Sequence, residues 1–185
     1  MKIGFDLDKV FINYPPLVPD WVVDKIYKKK ANGTLLYRIP SRPEQVFRRI
    51  THHPFLRPPI KKNITFLQSI PRDKNKLYLI SSRFGFLEDI TLTLMQKHGF
   101  DKLFEGLYFN FSNEQPHEFK DRILTKLSLD VYVDDDFHLL KHVAKLHKKT
   151  QFYWLTPSRH KNSLTRNITA IHTLPEILNG KYDTA

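Results

Sequence analysis

The sequence predicts an α/β protein in which a parallel β-sheet is covered by helices on both faces. Three observations carry this prediction. Short apolar runs alternate with segments of helical spacing from residue 77 onward, the pattern of successive βαβ units. A further apolar run stands at the start of the chain, at Lys2–Leu7. Several of the runs end in acidic or hydroxyl residues, and in open parallel sheets functional groups collect at the carboxyl ends of strands.

Lys2–Leu7 reads as a buried strand ending in Asp6-Leu7-Asp8. From Pro15 to Pro71 the pattern changes to proline-punctuated helical stretches. Asp20 is a candidate N-cap for Trp21–Tyr27, and Arg42–Ile50 puts Val46, Phe47 and Ile50 on one helical face. Another helix opens near Pro59-Ile60, with proline tolerated in a first turn, and carries Ile64, Phe66, Leu67 and Ile70. The alternation then begins: strand 77–80, helix 86–98 closed by Gly99, strand 107–109, helix 118–127, strand 130–134, helix 137–148, strand 151–155, strand 168–171 and a short helix at 175–178. These patterns divide the chain into a core of residues 1–14 and 72–185 and a helical insertion at 15–71.

The net charge of +11 is confined to one stretch. Between Trp21 and Lys76 there are fourteen Lys or Arg and three acids, while the rest of the chain balances to zero. Such asymmetry points to an anionic partner for that stretch, with nucleic acid among the candidates; a solvated surface is the plainer reading. The chain is 41% hydrophobic, enough for a folded core, and no run approaches the ~20 apolar residues that span a bilayer. Without cysteine, disulfides and thiolate metal sites are excluded. No signal-peptide pattern precedes the first strand, and a cytoplasmic protein is expected.

The strand ends supply the candidate site. Asp6 and Asp8, at i and i+2 past a strand, can meet one hard cation, and Asp134 with Asp135 can reach the same ion from a neighbouring strand. Clustered carboxylates repel one another unless a cation is present, and Mg²⁺ suits oxygen ligands. Asp6 is placed as nucleophile toward phosphorus, and Asp8 as the acid and base that serves the leaving oxygen and then water. Ser81 is a phosphoryl hydrogen-bond donor, with Ser82 the alternative in register. Lys120 is the neutralising cation, with Lys126 deeper in the same helix as its competitor. Arg83 and Lys9 are candidate phosphate contacts. Asp136 suits a helix N-cap, and Asp135 either ligates or orients the loop. His138 and His142 share a helix face but lack a third ligand. Tyr78, Tyr132, Tyr153 and Trp154 read as sheet packing.

Phe5-Asp6-Leu7-Asp8-Lys9-Val10, Leu79-Ile80-Ser81, Lys120 and Val133-Asp134-Asp135 together resemble the four ordered motifs of the haloacid dehalogenase (HAD) phosphatase superfamily. Each motif is weak alone; four in order, each at a strand end or helix start, are specific. The resemblance implies a Rossmann-like core, Mg²⁺, and a C1-type cap over residues 15–71. It favours phosphate hydrolysis over dehalogenation, because the dehalogenase branch lacks an acid matching Asp8. Leu56-Arg57-Pro58-Pro59-Ile60 is similar to the cap-to-core return of the 5′(3′)-deoxyribonucleotidase branch, which implies a 5′-nucleotidase-like enzyme. A basic cap suits a nucleotide, with Tyr14, Trp21, Tyr27, Tyr37 or Phe47 available to stack on a base. A nucleic-acid end phosphatase and a non-catalytic nucleic-acid-binding protein are the alternatives. Lys9 departs from the family pattern, where glycine is commonest; a lysine is accommodated there if φ is negative.

Overall fold

The computed structural model describes residues 1–15, 28–31, 34–38, 40–157 and 167–179. The expected N-cap at Asp20 and helix at Trp21–Tyr27 lie outside these residues. Six parallel strands form the central sheet: β1 (Lys2–Phe5), β4 (Lys76–Ser81), β5 (Gly106–Phe109), β6 (Val131–Asp134), β7 (Gln151–Leu155) and β8 (Ile168–Ile171). Their spatial order is β5-β4-β1-β6-β7-β8. The chain starts in the middle and adds strands first to one side and then to the other, so β1 lies between β4 and β6. This is the α/β Rossmann-like arrangement that the alternating pattern predicts.

Strand alternation sends successive side chains to opposite faces. Ile3 and Phe5 of β1, Leu77 and Leu79 of β4, and Val131 and Val133 of β6 enter one core with Phe11, Leu67, Leu94 and Phe100. Helices α2 (Lys61–Ser69) and α3 (Glu88–His98) contribute to that face. Ile80 and Tyr132 enter the other core with Phe119, Ile123 and Leu124 of α4 (Pro116–Leu127) and Leu139, Leu140 and Val143 of α5 (Phe137–Leu146). Gly4 faces this second layer. A Cβ there would stand 2.4 Å from Leu129 Cδ1 and 2.9 Å from Tyr132 Cδ2, so the two layers close only over a bare backbone. A short helix α6 (Glu176–Asn179) ends the described chain.

The segment 15–71 departs from an all-helical reading. Residues Lys28–Ala31 (β2) and Thr34–Tyr37 (β3) pair as an antiparallel hairpin in which Ala31 opposes Thr34. Asn32-Gly33 separates them in the sequence, the dipeptide typical of two-residue hairpin connections. Helix α1 (Arg42–Thr51) follows, with Glu44 accepting from the Ser41 backbone N–H at 2.7 Å. Its apolar residues do not face a core: Val46, Phe47 and Ile50 are each more than half exposed, and the buried side chain is Arg48. The return to the sheet is fixed by backbone pairing. Asn13 N–H donates to Pro58 O (2.9 Å) and Ile60 N–H to Phe11 O (2.7 Å), so Arg57 is carried to the end of β1.

Candidate active site

Asp6 follows β1 directly, and Asp134 closes β6, the adjacent strand. By strand parity both side chains rise on the α4 side of the sheet, and Lys120 on α4 meets them there. Its Nζ donates to Asp6 Oδ1 at 2.7 Å and to Asp134 Oδ2 at 2.6 Å. Tyr132 Oη donates to the same Asp134 oxygen at 3.1 Å. Asp6 Oδ2 accepts from the Asp8 backbone N–H at 3.0 Å, which closes the turn after the strand. One oxygen from each of Asp6, Asp134 and Asp135 lies within 4.8 Å of the others, the one such acidic or histidine cluster among the described residues.

The electrostatics follow from burial. Removal from water pushes Asp6 up to about 7; Lys120 opposes this, while Asp134 and Asp8 reinforce it. Burial likewise lifts Asp135 well above the carboxylate range, with Asp134 and Asp6 adding to it. Burial would lower Lys120, but Asp134 and Asp6 outweigh it and hold the ammonium charged. Lys120 thus bridges two of three crowded carboxyl groups, with Lys9 3.8 Å from the third, and the remaining repulsion is taken up by protons or by a cation. Hard oxygen donors at this spacing fit Mg²⁺.

Asp8 lies differently. Arg83 binds its carboxylate side-on, Nε to Oδ2 at 2.9 Å and Nη2 to Oδ1 at 2.7 Å, and the Arg57 guanidinium meets Oδ1. Burial would raise Asp8, but Arg83 and Arg57 prevail and hold it far below the usual range. His52 is kept neutral by burial and by the same two arginines, and its Nδ1–H donates to Arg48 O at 2.8 Å. A cavity of about 150 Å³ joins these groups. Asp6, Asp8, Ser81, Ser82, Arg83, Lys120, Asp134 and Asp135 all line it, together with Tyr37, Arg38, Arg48 and His52.

In a comparison with solved structures, the chain superposes over its full length on a putative β-phosphoglucomutase from Thermotoga maritima, covering 99% of that chain (17% identity, TM-score 0.63). A haloacid dehalogenase-like hydrolase from Streptococcus pneumoniae matches 97% of each chain (14% identity, TM-score 0.60). A HAD family enzyme from Bacteroides thetaiotaomicron, solved with magnesium and inorganic phosphate, matches 89% of this chain and 98% of its own (15% identity, TM-score 0.56). The chain has the HAD fold. No protein-family model and no curated protein sequence matches it.

Within this fold the sequence-predicted residues distribute as follows. Asp6, Asp134, Asp135 and Lys120 come together; Lys126 is exposed, with Nζ 5.3 Å from the Tyr108 ring centre, away from the carboxylates. Ser81 is buried at the cavity wall. Ser82, one residue beyond the strand, has a buried Oγ without a hydrogen-bond partner, as a donor waiting for an oxyanion would. Arg83, expected at phosphate, is paired with Asp8. Asp136 caps α5, accepting from the N–H groups of His138 and Leu139. His142 packs edge-on against His117.

Lys9 corrects an expectation. Its φ is +58°, in the left-handed region, so a side chain is carried where glycine would sit without strain. Its Nζ is 3.8 Å from Asp135 Oδ2 and 4.5 Å from the Tyr14 ring centre, on the flank of the carboxylate cluster. Tyr14 is thereby covered by cations, Arg57 being over the same ring at 4.8 Å. Phe47 points outward, and Trp21 and Tyr27 lie outside the described residues, so Tyr37 is the predicted stacking ring that reaches the cavity. Sequence reading missed Arg48, His52 and Arg57. The first two are spaced i, i+4 on the polar side of α1, and apolar periodicity drew the eye to the opposite face.

Proposed function

We propose that the chain is a Mg²⁺-dependent phosphatase that hydrolyses a phosphomonoester through an aspartyl-phosphate on Asp6. The observation that supports this most directly is the triad of carboxylate oxygens within 4.8 Å, with Lys120 bridging Asp6 and Asp134. Asp6 and Asp134, the Asp8 backbone carbonyl and Asp135 would hold the ion, which when bound supplies charge neutralisation for a phosphoryl group. Asp6 attacks phosphorus as the bond to the ester oxygen breaks, and Asp8, once its pairing with Arg83 and Arg57 is loosened and it has taken a proton from solvent, passes that proton to the ester oxygen. Water then attacks the acyl phosphate, its proton passes to Asp8, and Asp6 is regenerated. Lys120 favours the ionised form of the nucleophile against the burial that raises it, and the Ser81 and Ser82 hydroxyls donate to phosphoryl oxygens.

In this reading residues 15–71 form the cap that selects substrate, and a nucleotide is the substrate class. Tyr37 at the cavity wall is the ring for a base, and the basic stretch 21–76 supplies long-range attraction. That same charge favours a second reading, a phosphorylated nucleic-acid end, for which activity falls steeply with salt. The test is phosphate release from p-nitrophenyl phosphate with and without Mg²⁺, for the natural sequence and Asp6→Asn. An active Asp6→Asn enzyme rules the mechanism out. Beryllium fluoride should raise the melting temperature only when Mg²⁺ is present. A panel of nucleoside monophosphates, sugar phosphates and 5′- or 3′-phosphorylated oligonucleotides separates the substrate readings.

A further inference from the structure

We propose that the preferred substrate carries a second anionic group, a carboxylate or another phosphate, a few bonds from the ester oxygen, seated by the arginines that face Asp8. The proposal rests on the phosphatase reading above and adds to it the charge pattern of the leaving group.

Three arginines are buried around the site, Arg48, Arg57 and Arg83, each 5% exposed or less, and two of them, Arg57 and Arg83, meet the Asp8 carboxylate. They arrive from three separate elements: α1, the Pro58-Pro59 return, and the end of β4. Arg48 and Arg83 line the cavity directly, beside His52 and the exposed Arg38. Buried guanidiniums are uncommon, and a rigid fork of N–H donors is the chemistry that recognises carboxylate and phosphate. The carboxylates of Asp6, Asp134 and Asp135 line the same cavity but cluster with one another, Asp6 and Asp134 being paired with Lys120 and not with these arginines, so the site is divided by charge.

Asp8 stands at the boundary. Its backbone faces Asp6 and its carboxylate faces the arginines, with both oxygens taken by Arg83 and one shared with Arg57. In the proposed chemistry Asp8 serves the ester oxygen, so the leaving group begins beside Asp8 and its next atoms meet Arg83 and Arg48. Asp8 reaches that oxygen only if it gives up part of its arginine pairing. Releasing a buried guanidinium with nothing in exchange is costly; handing it to a second anion is not. An anionic leaving group therefore binds and frees Asp8 in one exchange, and a neutral one leaves Asp8 engaged. The effect falls on kcat as well as KM, because remote binding energy is used to arm the reacting group.

The experiment compares matched substrates with the full chain and saturating Mg²⁺: phosphoglycolate against ethyl phosphate, glycerol 1,3-bisphosphate against glycerol 1-phosphate, and a nucleoside 3′,5′-bisphosphate against its 5′-monophosphate. The expected result is a kcat/KM higher by roughly 10- to 100-fold for the doubly anionic member of at least one pair, the size of a charge-assisted hydrogen-bond pair. The pair with the largest ratio names the source of the anion. Arg83→Gln and Arg48→Gln should each pull that ratio toward one, which is read within each variant whatever its absolute activity. Calorimetry on Asp6→Asn should show the same preference in binding. Equal kcat/KM within every pair overturns the second-anion proposal and leaves the phosphatase reading standing. No turnover of any compound overturns the phosphatase reading and this proposal with it.

Discussion

The carboxyl group of Asp6 gives the sharpest test of the site, because its cost is readable without any turnover. Asp6 is 6% exposed. Burial lifts it from 3.8 to about 7 against the pull of Lys120. Between those values the native protein keeps a proton that the unfolded chain has released. Stability from this group is therefore intact below about pH 4 and is lost as pH rises toward 7. At about 1.4 kcal/mol per pH unit, the window is worth about 4 kcal/mol. A carboxamide at this position cannot ionise, so in metal-free protein Asp6→Asn should gain about 4 kcal/mol relative to the natural sequence between pH 4 and pH 8. Urea unfolding in the presence of a chelator, at stepped pH, measures this difference. Asp135 shifts in the same direction in both proteins, so the difference removes its share apart from its coupling to Asp6. Asp8 is lowered, so its contribution is lost only as pH falls below the usual carboxylate range, outside the window. Saturating Mg²⁺ should close the gap, since the cation replaces the proton in the natural sequence and loses a ligand in the variant. Parallel stability curves across pH 4–8 would refute the buried-carboxylate account.

Three further substitutions probe the frame around the site. Lys120→Met strands the carboxylates of Asp6 and Asp134 and should cost about 3–5 kcal/mol in metal-free protein, partly recovered by Mg²⁺; unchanged urea midpoints argue against the bridge. Its phosphatase turnover should fall by roughly 100-fold or more, measured on an aryl phosphate. Lys9→Gly relieves a left-handed residue at the expense of a part-exposed 3.8 Å ion pair and a ring contact, so the melting temperature should rise by a few degrees for about 1 kcal/mol; a fall would mean that Lys9 matters more to Asp135 than the geometry allows. Gly4→Ala drives a methyl into Leu129 and Tyr132 and should destabilise by about 1–3 kcal/mol, with a natural-like urea midpoint the refuting result.

The parallel sheet was legible in the sequence because its signals are local. Each buried strand is an apolar run, each run ends in a polar residue, and the fold rule that gathers strand ends needs no knowledge of side-chain contacts. Asp6, Asp134 and Lys120 could thus be brought together across 128 residues of sequence. The hairpin at 28–37 was not legible by periodicity, since Lys28-Lys29-Lys30 carries no apolar alternation; its signal was the Asn32-Gly33 dipeptide. Helix α1 misled in the opposite way. Val46, Phe47 and Ile50 have core spacing, yet they point to solvent, and Arg48 and His52 on the other side enter the site.

The partners of Asp8 show why the remainder was out of reach. Periodicity reports which face of an element is apolar, and a site built from buried arginines runs against that code. Arg57 meets Asp8 because the N–H of Ile60 and the carbonyl of Pro58 pair with the backbone at 11–13, while the imino nitrogens of Pro58 and Pro59 offer no donor to compete. Shifting that pairing by one residue would move Arg57 off the carboxylate altogether. The pairing is thus a tertiary register, set by main-chain bonds between segments some 45 residues apart. A burial pattern cannot encode it, but it decides which cations face Asp8, and so, under the proposed chemistry, it is where substrate choice would be expected to change first as the segment between β1 and β4 varies.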